Sequence, residues 1–114
     1  MKQEMVIFTR TYDFISWLIP QTMNFPRTQR FIVTKRLQDA ALDFYELIID
    51  ANTYRSKMRL SLLRQADTRL DRVRHYLRLC HNWGWLSPGQ YKHAINFVVD
   101  MGKLLGGWIK QSGL

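Results

Sequence analysis

The sequence predicts an all-α domain, an antiparallel up-down-up-down four-helix bundle, and three observations carry that expectation. Apolar residues recur at spacings of three and four along most of the chain, which is the helical period. The three prolines fall only where such stretches begin or end. No strand-period segment, internal repeat or low-complexity linker intervenes. Short connections force successive helices to lie antiparallel, which makes the bundle. At 114 residues the chain has the size of a single domain, 1–114. Such a chain buries roughly two-thirds of its unfolded surface and supports a core without metals or disulfides.

The first helix is expected over residues 5–19, with Met5, Phe8, Tyr12, Ile15 and Ile19 as its inward stripe and Pro20 near its end. A second helix is expected to start near Pro26, whose fixed φ suits a first turn, and to run to about Tyr54. Its inward face reads Phe31, Leu37, Ala41, Phe44, Ile48 and Ala51. The third repeats Leu60, Leu63, Ala66, Leu70, Val73, Leu77 and Cys80, and stops at Trp83-Gly84-Trp85, where Gly84 suits a C-terminal cap. Ser87-Pro88-Gly89-Gln90 then reads as a capping box with proline in the first turn. The fourth helix follows with Tyr91, Ala94, Ile95, Val98, Met101, Gly102 and Leu105 inward.

Two helices carry apolar rows beyond these stripes. Leu42, Tyr45 and Ile49 form one, and Ile7, Phe14 and Leu18 another. A monomeric bundle covers one side of each helix, so the extra rows predict an interface between copies of the chain.

Charge is the strongest compositional signal, with 17 Lys+Arg against 9 Asp+Glu and a net +8. Basicity of that size points to an anionic partner, nucleic acid above all. By segment, residues 1–26 are neutral, 27–36 carry +4, 37–54 carry −4, 55–78 carry +6 and 79–114 carry +2. The third helix holds most of the excess in Arg55, Lys57, Arg59, Arg64, Arg69, Arg72, Arg74 and Arg78. Arg64, Arg74 and Arg78 share an edge with Asp67 and Asp71, while Arg69 and Arg72 lie on the other flank. The Asp71/Arg74 spacing permits an intrahelical pair, so part of this edge reads equally as ordinary solvated charge. Arg78 has no acidic neighbour one turn away, and two guanidinium forks at that spacing suit phosphates or carboxylates. Arg27, Arg30, Lys35 and Arg36 form a second cluster at the expected start of the second helix, where the helix dipole also favours an anion.

Signals for catalysis are weak. Asp39, Asp43, Glu46 and Asp50 share one helix face, yet no Glu-x-x-His motif accompanies them, and they read as a solvated or interface stripe. His75, His81 and His93 lack ligand spacing with one another or with Cys80, so no metal or cofactor is expected. Neither a phosphate-cradling glycine loop nor a nucleophile motif occurs. Trp83, Trp85 and Trp108 at helix ends suit hydrophobic plugging more than base stacking. The N-terminal residues lack a secretory pattern, and the longest uncharged stretch, Phe14 to Pro26, is too short to span a bilayer. A non-enzymatic protein of the reducing cytoplasm, without membrane association, is the expectation.

The segments FPRTQRF, RLQDAALDFYELIIDANTYR, LLRQADTRLDRVRHYLRL, WGWLSPGQYKHA and MGKLLGGWIK resemble the Avd family, the accessory variability determinants of diversity-generating retroelements. The resemblance spans residues 11–110 or so. It implies a basic four-helix subunit that forms a barrel-like homopentamer and associates with the retroelement reverse transcriptase and its template RNA. Such a subunit supports mutagenic cDNA synthesis without catalysing it, and Arg74 and Arg78 are the first choices for partner contact. The alternative resemblance is to the four-helix proteins encoded in intervening sequences of 23S ribosomal RNA genes, as an interaction protein with no nucleic-acid role. Those proteins carry an Ile-Ala-Glu-Gly stretch where this chain reads ELIIDAN.

Overall fold

The computed structural model describes residues 2–113, with side chains from residue 6 onward. Four helices follow in order: α1 (Lys2–Thr22), α2 (Val33–Thr53), α3 (Ser56–Asn82) and α4 (Pro88–Ser112). A single 3-10 turn, Arg27–Gln29, lies between α1 and α2, and the described residues contain no strand. The bundle measures 44 × 25 × 19 Å. Each helix packs against two others, α1 on α4 and α2, and α3 on α2 and α4. Sequential helices run antiparallel. On α2 and α3, for example, Arg59 bonds Ala51 O near the link while Arg69, further along α3, meets Asp43, earlier on α2. Helices α1 and α4 are likewise antiparallel, with Arg10 on Asp100 and Gln90 donating to Gln21 at 3.2 Å.

The long second half follows the periodicity. Every expected inward residue of α3 from Leu63 to Cys80 is fully buried, and Ala94, Val98, Met101 and Leu105 of α4 join them. Phe97 and Trp108 complete the α4 face. The α3–α4 turn closes as its residues dictate. Gly84 adopts φ +80°, with Trp85 N–H donating to Cys80 O at 2.8 Å and Gly84 N–H to His81 O at 3.0 Å, a Schellman cap. Gln90 N–H then donates to Ser87 Oγ at 3.1 Å and Ser87 N–H to Gln90 Oε1 at 2.8 Å, the expected capping box.

The first half departs from expectation in two places. On α1 the inward row is Ile7, Thr11, Phe14 and Leu18, all essentially inaccessible. Tyr12, expected inside, is 60% exposed, and Phe8, Ile15 and Ile19 are half-buried on the flanks. Ile7, Phe14 and Leu18 are therefore core residues of the subunit and do not form an oligomer interface. The reason is that α1 is apolar on two sides, and α4 and α2 together cover a wide face of it. The expectation for Met5 concerns a side chain outside the described residues. α1 also extends two residues past Pro20, because a proline in the last turn removes one backbone bond without breaking the helix body.

The second departure concerns the start of α2. Pro26 opens a helical turn, but a 3-10 one, with Gln29 N–H on Pro26 O and Arg30 N–H on Arg27 O. α2 itself begins at Val33, after Ile32 breaks the helical dihedrals at φ −118°, ψ −98°. Phe31 precedes that break, so the helix cannot carry it onto the inward face where it was expected, and it is 78% exposed.

Candidate nucleic-acid and partner interface

The ten arginines expected to meet partners divide into two groups. Arg59, Arg69 and Arg74 are engaged within the subunit. Arg59 Nε donates to Ala51 O at 2.8 Å and its Nη2 to Asn52 O at 3.3 Å, so it caps the last carbonyls of α2, where the dipole favours a cation. Its guanidinium also lies 5.8 Å from the centroid of the Trp108 ring. Arg69 reaches across to Asp43 of α2 at 3.6 Å, an ion pair too long for a hydrogen bond, with the arginine side chain 29% exposed. Arg74 pairs with Asp71 and rests on α4, where a Cβ built on Gly102 would fall 2.6 Å from Arg74 Nη2. Arg74, expected to face outward with Arg78, is 38% exposed at its side chain, pairs with Asp71 as the spacing allowed, and rests its planar end on α4.

The guanidinium groups of Arg64, Arg72 and Arg78 make no ion pair or hydrogen bond among the described residues, and all three are exposed. At helical spacing they lie on the side of α3 opposite its leucine stripe. Beside Arg64 the same face holds a shallow depression of about 450 Å³ lined by Lys57, Ser61 and Thr68. Arg55 is exposed at the α2–α3 link, and Arg36 is exposed in the first turn of α2. Arg27 and Arg30 lie on the 3-10 segment rather than in α2, with Arg30 5.9 Å from the Phe31 ring centroid. Three unpaired guanidinium groups spread over the outward side of one rod can approach a phosphate backbone without first breaking internal bonds.

Of the six apolar residues expected between copies, Leu42 and Ile49 remain exposed on α2, at 38% and 44%, with Tyr45 half-buried between them. The neighbouring acids are partly used: Asp39 holds Lys35 Nζ at 2.6 Å and Asp43 holds Arg69.

Cys80, His81 and His93 are each held by packing or ring contacts. Cys80 is buried and desolvation pushes its thiol up to about 11, against a smaller opposing effect of a backbone hydrogen bond. His81 stacks on Tyr91 with centroids 4.4 Å apart and its Nδ1 lies 3.2 Å from Leu86 O. His93 packs edge-on against Trp17. No group of three or more His, Cys, Asp or Glu suited to a metal occurs among the described residues. No helix there is long and apolar enough to cross a membrane.

The basic cluster expected at the start of the second helix borders a groove that the sequence did not show, of about 670 Å³ between the end of α1 and the start of α2, lined by residues that include Phe25, Arg27, Arg30, Phe31 and Thr34. Its signal was the excess of aromatic and basic residues in FPRTQRF, which a continuous helix would have dispersed around its circumference.

No curated protein matches the sequence. Among solved structures, a protein of unknown function from the S23 ribosomal protein family of Bacteroides thetaiotaomicron superposes with a TM-score of 0.86. That match covers 95% of this chain and 98% of the other at 18% identity, a likeness of fold alone. The family model described as bAvd-like matches residues 5–112, nearly the whole described bundle, and the chain belongs to the bAvd-like family.

Proposed function

We propose that this protein is a non-catalytic accessory subunit of a diversity-generating retroelement, which self-assembles and binds the reverse transcriptase and template RNA to support mutagenic cDNA synthesis. The observation that carries the reading is the row Arg64, Arg72 and Arg78, uncompensated and outward on a chain of net +8. Family membership supplies the context. The exposed Leu42–Tyr45–Ile49 row is the surface on which copies would meet, as a homopentamer in the Avd manner. Five copies at +8 would carry about +40, a field that holds RNA in a salt-sensitive way. The site of action is the cytoplasm, where template RNA is made.

The test is RNA binding measured across a salt series, with reverse-transcriptase pull-down alongside. Replacing Arg64, Arg72 and Arg78 by alanine should flatten the slope of log K against log salt by about 2, at roughly 0.7 for each single-strand phosphate left unneutralised. It should also reduce retention of the reverse transcriptase. Arg74→Ala should leave the slope unchanged. Oligomers that form normally but show no RNA affinity at any salt would instead favour an interaction protein of the 23S intervening-sequence type.

A further inference from the structure

The groove between α1 and α2 joins three properties that the α3 face lacks. Its aromatic face is Phe31, 78% exposed, with the edge of Phe25, a core residue only 6% exposed, at its floor. Phe25 packs against Trp85 at 5.4 Å, and Trp85 against the half-exposed Trp83 at 5.2 Å, so the wall continues as an aromatic ridge over the end of the bundle. Its rim is cationic. Arg27 and Arg30 have no carboxylate partner among the described residues, because Asp39, the acid in the lining, is held by Lys35. Its lining also contains an unmade hydrogen bond: Thr34 is only 4% exposed and its hydroxyl has no partner among the described residues. The first turn of α2 beside it has neither an acidic residue nor a side-chain cap, so its leading N–H groups remain open to an anion.

We propose that this groove is a subsite for an unpaired nucleotide of a single-stranded nucleic acid, the base against Phe31 and its phosphate between Arg27, Arg30 and the start of α2. The volume lies within the range of about 300–1,000 Å³ typical of small-ligand sites. An acidic peptide would satisfy the arginines and leave the aromatic wall to any apolar side chain. A nucleotide places a planar ring and an anion on one rigid unit, so its base would take the Phe31 ring while Arg30, now over that ring 5.9 Å from its centroid, turns to the phosphate. The duplex-indifferent row on α3 reads phosphates only. The groove requires a base that is out of its helix, and so would select loops, ends and unpaired template. The assignment rests on the nucleic-acid reading above but makes a separable demand, since a duplex cannot enter the groove.

The experiment compares a fluorescein-labelled single-stranded homopolymer with a blunt RNA duplex, using the full chain at fixed salt. Phe31→Ala removes an exposed side chain and leaves the core untouched, so the variant folds. It should weaken single-strand binding about 5- to 150-fold, the value of one base stack, and leave duplex binding unchanged. The double change Arg27→Ala/Arg30→Ala should follow it, whereas Arg64→Ala/Arg72→Ala/Arg78→Ala should weaken both probes. Unchanged single-strand affinity in Phe31→Ala overturns the subsite while leaving the accessory function standing, provided the α3 variant still loses RNA. A wild-type chain that binds neither probe overturns both readings. A phenylalanine-containing acidic peptide that occupies the groove and resists displacement by the single strand overturns the nucleotide in favour of a protein ligand.

Discussion

α1 and α3 are both amphipathic rods in one bundle, yet their orientations are secured by different margins. On α3 an unbroken stripe from Leu63 to Cys80 faces in, and Arg64, Arg72, His75 and Arg78 face out, so any rotation would bury charge. On α1 the buried row of Ile7, Thr11, Phe14 and Leu18 competes with an exposed Val6 and Tyr12 and with half-buried Phe8 and Ile15. The polar atom sits on the inside here. Thr11 is inaccessible and its hydroxyl unpartnered among the described residues, while the tyrosine that would fill a core stands in water. Where one face is charged, the helix chooses its own orientation. Where both are apolar, the neighbours choose, and α1 is turned by the fit of Phe14 against Phe97 at 5.6 Å and of Phe8 against Trp108 at 6.0 Å.

The largest effect that sharpens this contrast is expected at Phe14. Phe14→Ala should cost about 3–5 kcal/mol, the usual loss for a phenylalanine truncated in a core. Tyr12→Ala should stay within about 0.5 kcal/mol, as for an ordinary surface position. Denaturant midpoints of the two variants decide it, and similar losses at both positions would show α1 rotated from the orientation described. A smaller effect of opposite sign is expected at Thr11. Thr11→Val keeps the shape and removes a buried hydroxyl without a partner, which should stabilise the fold by about 1–2 kcal/mol. Destabilisation there would mean that the hydroxyl is hydrogen-bonded after all.

Within α3, the contrast between engaged and free arginines predicts a graded response. Arg59→Ala removes two bonds to the terminal carbonyls of α2 and should cost about 1 kcal/mol, because the group is only half-buried and water replaces part of what is lost. Arg64→Ala should shift stability by less than about 0.5 kcal/mol. Thermal melts in parallel would check the pair, and an equal loss at both would remove the distinction between structural and partner-facing arginines.

Legibility in the sequence follows the same margins. The bundle, the end of α3 and the Ser87–Gln90 box that starts α4 could be read because each rests on local chemistry: a one-sided stripe, a glycine at positive φ, a hydroxyl three residues before a glutamine. The face of α1 could not, since Tyr12 and Phe14 are comparable in apolarity and only the partners on α4 separate them. The start of α2 was misplaced because proline fixes φ without choosing between α and 3-10 turns, and the groove beside Phe31 exists only in the second case. Of the site, the outward edge of Arg64 and Arg78 followed from helical phase, which put Arg72 on the other flank, and the Asp71–Arg74 pair was a visible alternative. Arg59 on Ala51 O, Arg69 on Asp43 and Arg74 on Gly102 depend on how neighbouring helices register, which no single helix encodes.

The smallest expected effect tests the seat of Arg74 on α4. Gly102 lies in the interior of α4, where glycine costs about 0.5–1 kcal/mol relative to alanine. A Cβ there would meet Arg74 Nη2 at 2.6 Å and Leu70 Cδ2 at 3.7 Å, so the obstacle is the end of a flexible side chain and not backbone. In Gly102→Ala the guanidinium should swing off α4 and keep its pair with Asp71, which is worth only a few tenths of a kcal/mol on an exposed helix face. The propensity gain should then win, raising stability by up to about 1 kcal/mol and the melting point by a few degrees. The displaced Arg74 should join the outward row and steepen the salt dependence of RNA binding by up to about 0.7, one further phosphate. A loss of stability beyond about 1 kcal/mol would instead show that α3 and α4 approach too closely at Gly102 for any side chain, and that Arg74 is locked by packing rather than merely resting there.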